Sequence, residues 1–256
     1  MIKKYNQYIK ENDYFDIDPY GEEDWEIDNL SPVLQMARRT GLPYDQITTL
    51  NIYHKQLTNL EGIEKLINLE ALYCEINQLT NLDGIENLIN LKLLYCGHNR
   101  LTSLAGIENL INLETLNCNY NQLTSLEGIE KLTNLQLLTC SNNQLTSLKG
   151  IENLLNFRQL DCSQNQITSL EGIENLTNLK TLIFYNNQLT NLNGIEKLIN
   201  IEGLSFSDNQ LTSLKGIENL VNLKYLAYGG HNNFSYKYKE YLTSYFKNKN
   251  IILFDL

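Results

Sequence analysis

From residue 47 onward, apolar and polar residues follow a frame that returns every 22 positions. Leu69 to Asn90 reads LEALYCEINQLTNLDGIENLIN, and Leu91 to Asn112 reads LKLLYCGHNRLTSLAGIENLIN. Leu113, Leu135, Phe157, Leu179, Ile201 and Leu223 open further copies. With a looser first copy from Ile47, nine units span residues 47–234. Positions 1, 4, 6 and 11 are apolar, as in Leu91, Leu94, Cys96 and Leu101. That spacing predicts a short strand with alternate side chains inward, followed by a turn. Position 9 is Asn77, Asn99, Asn121, Asn143, Asn165, Asn187 and Asn209, where a buried amide is expected to satisfy backbone groups beyond the reach of any ladder. The second half, L-x-G-I-E-x-L-x-N, predicts a bend at the glycine into a short helical or 3₁₀ return. One such unit has no way to bury its own apolar edge. Nine stacked in register form an α/β solenoid, with an inner parallel sheet and an outer layer of short helices.

The L-x-x-L-x-L/C-x-x-N-x-L frame resembles the leucine-rich repeat of the 22-residue class, a class that includes a nuclear regulatory subunit of protein phosphatase 1 and the bacterial internalins. The run LEGIENLTNLK (Leu170 to Lys180) is similar to the phosphatase-regulator repeat. The resemblance implies a horseshoe with a concave parallel β-sheet, a convex side of short or 3₁₀ helices, and helical caps. Richness in Asn, Ile, Lys and Tyr also resembles leucine-rich repeat proteins of giant DNA viruses such as mimivirus. For function the resemblance implies protein binding by the concave strands, since solenoids of this kind serve many binding tasks.

The ends leave the frame, as capping units must. Residues 29–46 are expected to form an N-terminal helical cap: Ser31 as N-cap, Pro32 at N1, VLQMARRT as body and Gly41 as stop, with Val33, Leu34 and Met36 over the first unit. One extra residue near Gly229-Gly230 puts Asn232 and Phe234 in the places of the ninth unit's Asn and Leu. Residues 235–256 are expected to form the C-terminal cap: Tyr238, Leu242, Tyr245 and Phe246 recur at helical spacing, and Ile251 to Phe254 suit a final strand. Residues 1–28 show no periodicity and are expected to be an acidic N-terminal extension.

Composition adds little to the frame itself, since 47 leucines and 36 asparagines in 256 residues are what such a repeat produces. Charge excludes more. The net charge is −10, and residues 11–28 hold nine acids and no base. Such a chain repels a phosphate backbone and an anionic membrane alike, so neither nucleic acid nor membrane is expected as a partner. The first residues show no apolar secretory segment. The five cysteines, Cys74, Cys96, Cys118, Cys140 and Cys162, all sit at position 6. They have no close zinc-type pair, and adjacent strands hold parallel Cβ atoms wider than a disulfide prefers. They are expected to be buried free thiols, which favours a reducing, intracellular setting in cytoplasm or nucleus.

No constellation for catalysis emerges. His54 and His98 lie two units apart, His231 is near the far end, and no nucleophile sits within reach of a base. The run from Asp16 to Gly21 begins like a calcium loop, but Tyr20 and Ile27 stand where ligands are required. No enzyme activity, cofactor or metal is expected. The informative surface is the concave face, where positions 3, 5 and 7 are expected to face solvent with position 8 at the border. Tyr53, Tyr73, Leu93, Tyr95 and Tyr120 fall on units one to four, and Ile183, Tyr185 and Tyr225 on units seven and nine. Tyrosine brings large contact area with few rotors, so these two groups are the expected binding residues for a protein partner. Three roles fit such a face: a phosphatase-regulator-like subunit, a substrate-recognition arm of a ubiquitin ligase, or an internalin-like adhesin.

Overall fold

The computed structural model describes residues 30–247, 249 and 251–254. The acidic extension, with its calcium-loop-like run, therefore lies outside the described residues. A short helix α1 (Pro32–Arg38) leads into nine strands, one per unit: β1 (Thr49–Asn51), β2 (Ala71–Tyr73), β3 (Leu93–Tyr95), β4 (Thr115–Asn117), β5 (Leu137–Thr139), β6 (Gln159–Asp161), β7 (Thr181–Ile183), β8 (Gly203–Ser205) and β9 (Tyr225–Ala227). Helix α2 (Tyr236–Lys247) and strand β10 (Ile252–Phe254) follow. All ten strands form one parallel sheet in sequence order. From β1 to β9 each residue pairs with the residue 22 places on, as Leu72 with Leu94 and Leu94 with Leu116, and β9 pairs with β10 at an offset of 27, Tyr225 with Ile252. Among the repeats the convex return is a 3₁₀ turn only at Ile63–Lys65, Ile195–Lys197 and Ile217–Asn219; the other units return through tight turns.

The core is one continuous cluster from Val33 to Phe246. Its leucine and isoleucine rows are almost wholly withdrawn from water, each side chain contributing about 1.5–3 kcal/mol of burial. The five cysteines belong to it as free thiols. Four donate to a carbonyl of the next unit, as Cys74 Sγ to Tyr95 O at 3.3 Å and Cys96 Sγ to Asn117 O at 3.4 Å. Burial pushes the Cys74, Cys96 and Cys118 thiols well above their ordinary value. Beyond Cys162 the same row becomes Phe184 and Phe206, whose rings pack 6.4 Å apart.

Two rows of asparagine stitch successive turns together. At position 9, Asn99 accepts from Leu79 N–H at 3.0 Å and donates to the carbonyls of Cys74, Cys96 and Gly97. Asn232 keeps the pattern in the ninth unit, one residue later, by accepting from Leu211 N–H and donating to Phe206, Tyr228 and Gly229. The second row is position 22, to which the sequence frame assigns no role. There Asn112 donates to Ile89 O at 2.8 Å and Asn156 to Thr133 O at 2.8 Å, and the bond recurs from Asn68 to Asn222. On the convex side each repeat glycine has a left-handed φ, and the glutamate two residues on accepts its N–H, as Glu108 does from Gly106.

The caps close both ends of the core. Ser31 Oγ accepts from Leu34 N–H and donates to Glu61 O, fixing α1 on the first unit. Gly62 is the point of contact: a Cβ there would lie 2.6 Å from Leu34 Cγ and 2.7 Å from Ser31 Oγ. At the far end Leu242 and Phe246 bury against unit nine, and Tyr238 Oη accepts from Leu214 N–H at 2.8 Å. Among the described residues no helix is long and apolar enough to cross a membrane.

Candidate functional site

The concave surface is set by positions 3 and 5 of the strands, which are mostly half-buried and flank a fully buried position 4. The register that pairs β2 with β3 puts Tyr73 beside Tyr95. Their rings stack with centroids 5.1 Å apart and planes 21° apart. Leu93, half-buried, occupies the other open position of β3. Burial, then the neighbouring Tyr73 and Glu75, raises the Tyr95 hydroxyl above its usual value. This stacked pair and Leu93 form an amphipathic plate.

The remaining expected residues do not all join it. Tyr53 meets the ring of His54 edge-on at 6.2 Å. Tyr120 is 48 % exposed and stacks on His98 at 4.1 Å, with planes only 11° apart. The tyrosine pattern alone does not mark His98 as a partner, but the repeat frame does, since His98 and Tyr120 share position 8 of adjacent units. Ile183 and Tyr185 are half-buried on unit seven. Tyr225 lies two strands further on and stacks instead on Phe254 of β10, at 6.4 Å.

Position 7 departs from expectation. It is not an open row: Glu75, Ser141, Ser163 and Ser207 are buried. The strands end at position 5, and at position 8 the chain turns into the left-handed region, with φ near 53° at His98 and Tyr120. Position 7 is thereby held between the backbones of adjacent units. A Cβ on Gly97 would lie 3.1 Å from Asn117 Oδ1 and 3.2 Å from Asn119 O. Asn119 is likewise engaged, its Oδ1 accepting from Ser141 N–H at 2.7 Å. The polar middle holds one charge, Asp161, whose Oδ1 accepts from the Ser163 N–H and hydroxyl. Burial pushes its carboxyl above the usual carboxylate value. Positions 3, 5, 7 and 8 of the nine units carry three carboxylates (Glu75, Asp161 and Asp208) and no lysine or arginine. Among the described residues no group of three His, Cys, Asp or Glu side chains is arranged to hold a metal.

The sequence model of the family described as Leucine Rich repeats (2 copies) matches at residues 89–131, 111–155, 133–175 and 156–197. The crystal structure of internalin C2 from Listeria monocytogenes is 31% identical and superposes with a TM-score of 0.69, the match covering 70% of this chain and 80% of that one. This chain is a leucine-rich repeat protein. A leucine-rich repeat protein of Leptospira interrogans is similarly related, at 30% identity and a TM-score of 0.71 over 82% of this chain and 61% of that one. The functional domain of InlJ from Listeria monocytogenes, described as including a cysteine ladder, is 25% identical with a TM-score of 0.55, over 83% of this chain and 54% of that one. No curated protein sequence gives a significant match. These relatives support the repeat family and give no support to a giant-virus source. They do not point to a phosphatase regulator either. A leucine-rich repeat fold implies a scaffold for protein–protein interaction, and proteins of this family are generally non-catalytic.

Proposed function

We propose that this leucine-rich repeat protein is a non-catalytic scaffold that holds a protein partner against its concave sheet, anchored on Tyr73, Tyr95 and Leu93. The stacked Tyr73–Tyr95 pair carries the reading. It is a rigid, half-buried aromatic surface on adjacent strands, and large tyrosine rings of this kind are what interface hot spots favour. Tyr120 on His98 extends the aromatic surface along position 8, whereas Ile183, Tyr185 and Tyr225 are secondary contacts. The absence of lysine and arginine from the concave positions favours a partner surface that is neutral or basic. The five free thiols favour an intracellular, reducing compartment. A second reading, an internalin-like surface protein, is favoured by the likeness to internalin C2.

The test is affinity capture with the full chain, followed by titration of the captured protein against wild type and variants. Tyr73→Ala and Tyr95→Ala are expected each to weaken binding by ~1–3 kcal/mol. Truncation of Thr139 in the polar middle is expected to change it little. Wild-type affinity in both tyrosine variants would move the site off this face.

A further inference from the structure

The edge where the chain enters its strands carries three rows of its own, at positions 21, 22 and 2. Position 21 holds Ile67, Ile89, Ile111, Leu155, Ile199 and Val221, each between 51% and 82% exposed. Threonine fills the two remaining places, Thr133 and Thr177. Large apolar side chains held half in water at one repeat position in six of eight units make a stripe, interrupted by the two threonines, of the kind that marks an interaction surface. Position 22 is the second asparagine row. Position 2 is Thr48 in unit one and from unit two onward reads Glu70, Lys92, Glu114, Gln136, Arg158, Lys180, Glu202 and Lys224, charged everywhere but at Gln136. Asparagine and charge rows share one face, since a shallow groove of about 380 Å³ is lined by Asn178, Asn200 and Asn222 on one side and Lys180, Glu202 and Lys224 on the other.

The order of these charges is antisymmetric about its centre. Taken from the two ends inward, Glu70 and Lys224, Lys92 and Glu202, and Glu114 and Lys180 are opposite in sign. The central pair, Gln136 and Arg158, carries no repulsion. A second copy rotated by 180° about an axis through the middle of the row, between units five and six, presents its row antiparallel to the first. Every charge except Arg158, which meets the neutral Gln136, then faces its opposite. The same rotation sets Ile67 against Val221, Ile89 against Ile199 and Ile111 against Thr177, and runs the asparagine row along itself. A two-fold axis along the radius of an arc maps the arc onto itself reversed, so curvature does not separate the two rows. A self-complementary patch of this symmetry is what an isologous dimer requires.

We infer that the protein pairs with a second copy of itself through this edge, antiparallel, with the position 21 stripe as the apolar contact and position 2 setting the register. Along one chain some neighbouring opposite charges already pair, Lys92 with Glu70 at 2.8 Å and Lys224 with Glu202 at 2.6 Å. Such exposed pairs contribute little affinity singly, but a wrong register places like charges opposite one another. The strip is ~35 Å long, from eight units at ~4.8 Å, which suits a modest, concentration-dependent dimer. The concave face stays open in it.

Sedimentation velocity of the full chain over a concentration series decides the matter. Wild type is expected to shift from monomer to dimer with concentration, and back toward monomer as salt is raised. Each reversal, Glu114→Lys or Lys180→Glu, acts twice across a two-fold interface and is expected to weaken the dimer about tenfold. The double variant Glu114→Lys/Lys180→Glu restores opposite signs in the antiparallel register and is expected to regain it. Ile89→Asp, at an exposed position, is expected to leave a folded monomer by circular dichroism, and Tyr73→Ala to leave the dimer intact. Wild type that stays monomeric to about 200 μM, above the range of an ordinary weak dimer, overturns the inference. So does a dimer that survives Ile89→Asp, or a double variant no better than the single ones.

Discussion

Position 8 shows how one residue bears the cost of the repeat. His54, Ile76, His98, Tyr120, Asn142, Gln164, Asn186 and Asp208 all have φ between 52° and 56°. Asn and Asp tolerate that region; for a β-branched residue it is a strained conformation. Only Asn142, Asn186 and Asp208 advertise a turn, which is why the sequence does not reveal the left-handed step at the other units. Ile76 is the residue least suited to it. Ile76→Asn is therefore expected to raise stability by ~0.5–1 kcal/mol, read as a higher urea midpoint at unchanged slope. A lower midpoint would mean that the side chain's contacts outweigh the backbone strain. Asp161 bears a different cost. Its folded carboxyl titrates above the ordinary value near 3.8 because burial disfavours the charged form. A raised pKa makes its contribution most favourable below the unfolded value, and that contribution is lost as pH rises through the folded one. Asp161→Asn is thus expected to gain on wild type as pH rises from 3 to 7. A gap independent of pH between the two would refute the assignment.

At the scale of the element, the period made most of the unit legible. Strand, buried asparagine, glycine bend and apolar return each recur at a fixed position whose physical demand is unambiguous, so one unit's reading applies to all. What the period concealed is what depends on the neighbouring unit. Position 7 alternates in and out only if the strand continues; here the strand stops at position 5, and Glu75 and Ser163 are enclosed. Position 22 looks like a polar surface residue until the stacked turns bring Asn112 to Ile89 O. The two asparagine rows differ in consequence. Asn121 is buried, accepts from Leu101 N–H and donates to Cys96, Cys118 and Asn119 carbonyls. Asn121→Ala leaves those groups away from water and is expected to cost ~1–3 kcal/mol. Asn112→Ala exposes its single acceptor to solvent and is expected to stay within ~0.5 kcal/mol. Equal losses in chemical denaturation would mean that the outer row is structural to the same degree.

At the scale of the whole molecule, the sheet order β1 to β10 means that each unit touches only its neighbours. Stability is then close to a sum of unit terms and interface terms, and a defect's effect depends on where in the row it sits. Leu138 on β5 and Leu226 on β9 occupy the same position and are both fully buried. Truncating either to alanine is expected to cost ~2–5 kcal/mol locally. The consequences diverge. Among the described residues only α2 and β10 lie beyond β9, so Leu226→Ala is expected to release those elements while β1 to β7 stay protected. Leu138→Ala cuts the array in the middle, and each half keeps one cap: α1 with units one to four, α2 and β10 with units six to nine. Its denaturation is expected to broaden or split, with one half outlasting the other. Hydrogen exchange followed by mass spectrometry reads both cases directly. Uniform loss of protection along the chain in both variants would show that the coupling between units exceeds the cost of a missing leucine. The solenoid would then open as a single body, and the asparagine rows would be the first place to look for that coupling, since they are the bonds that every unit shares with the next.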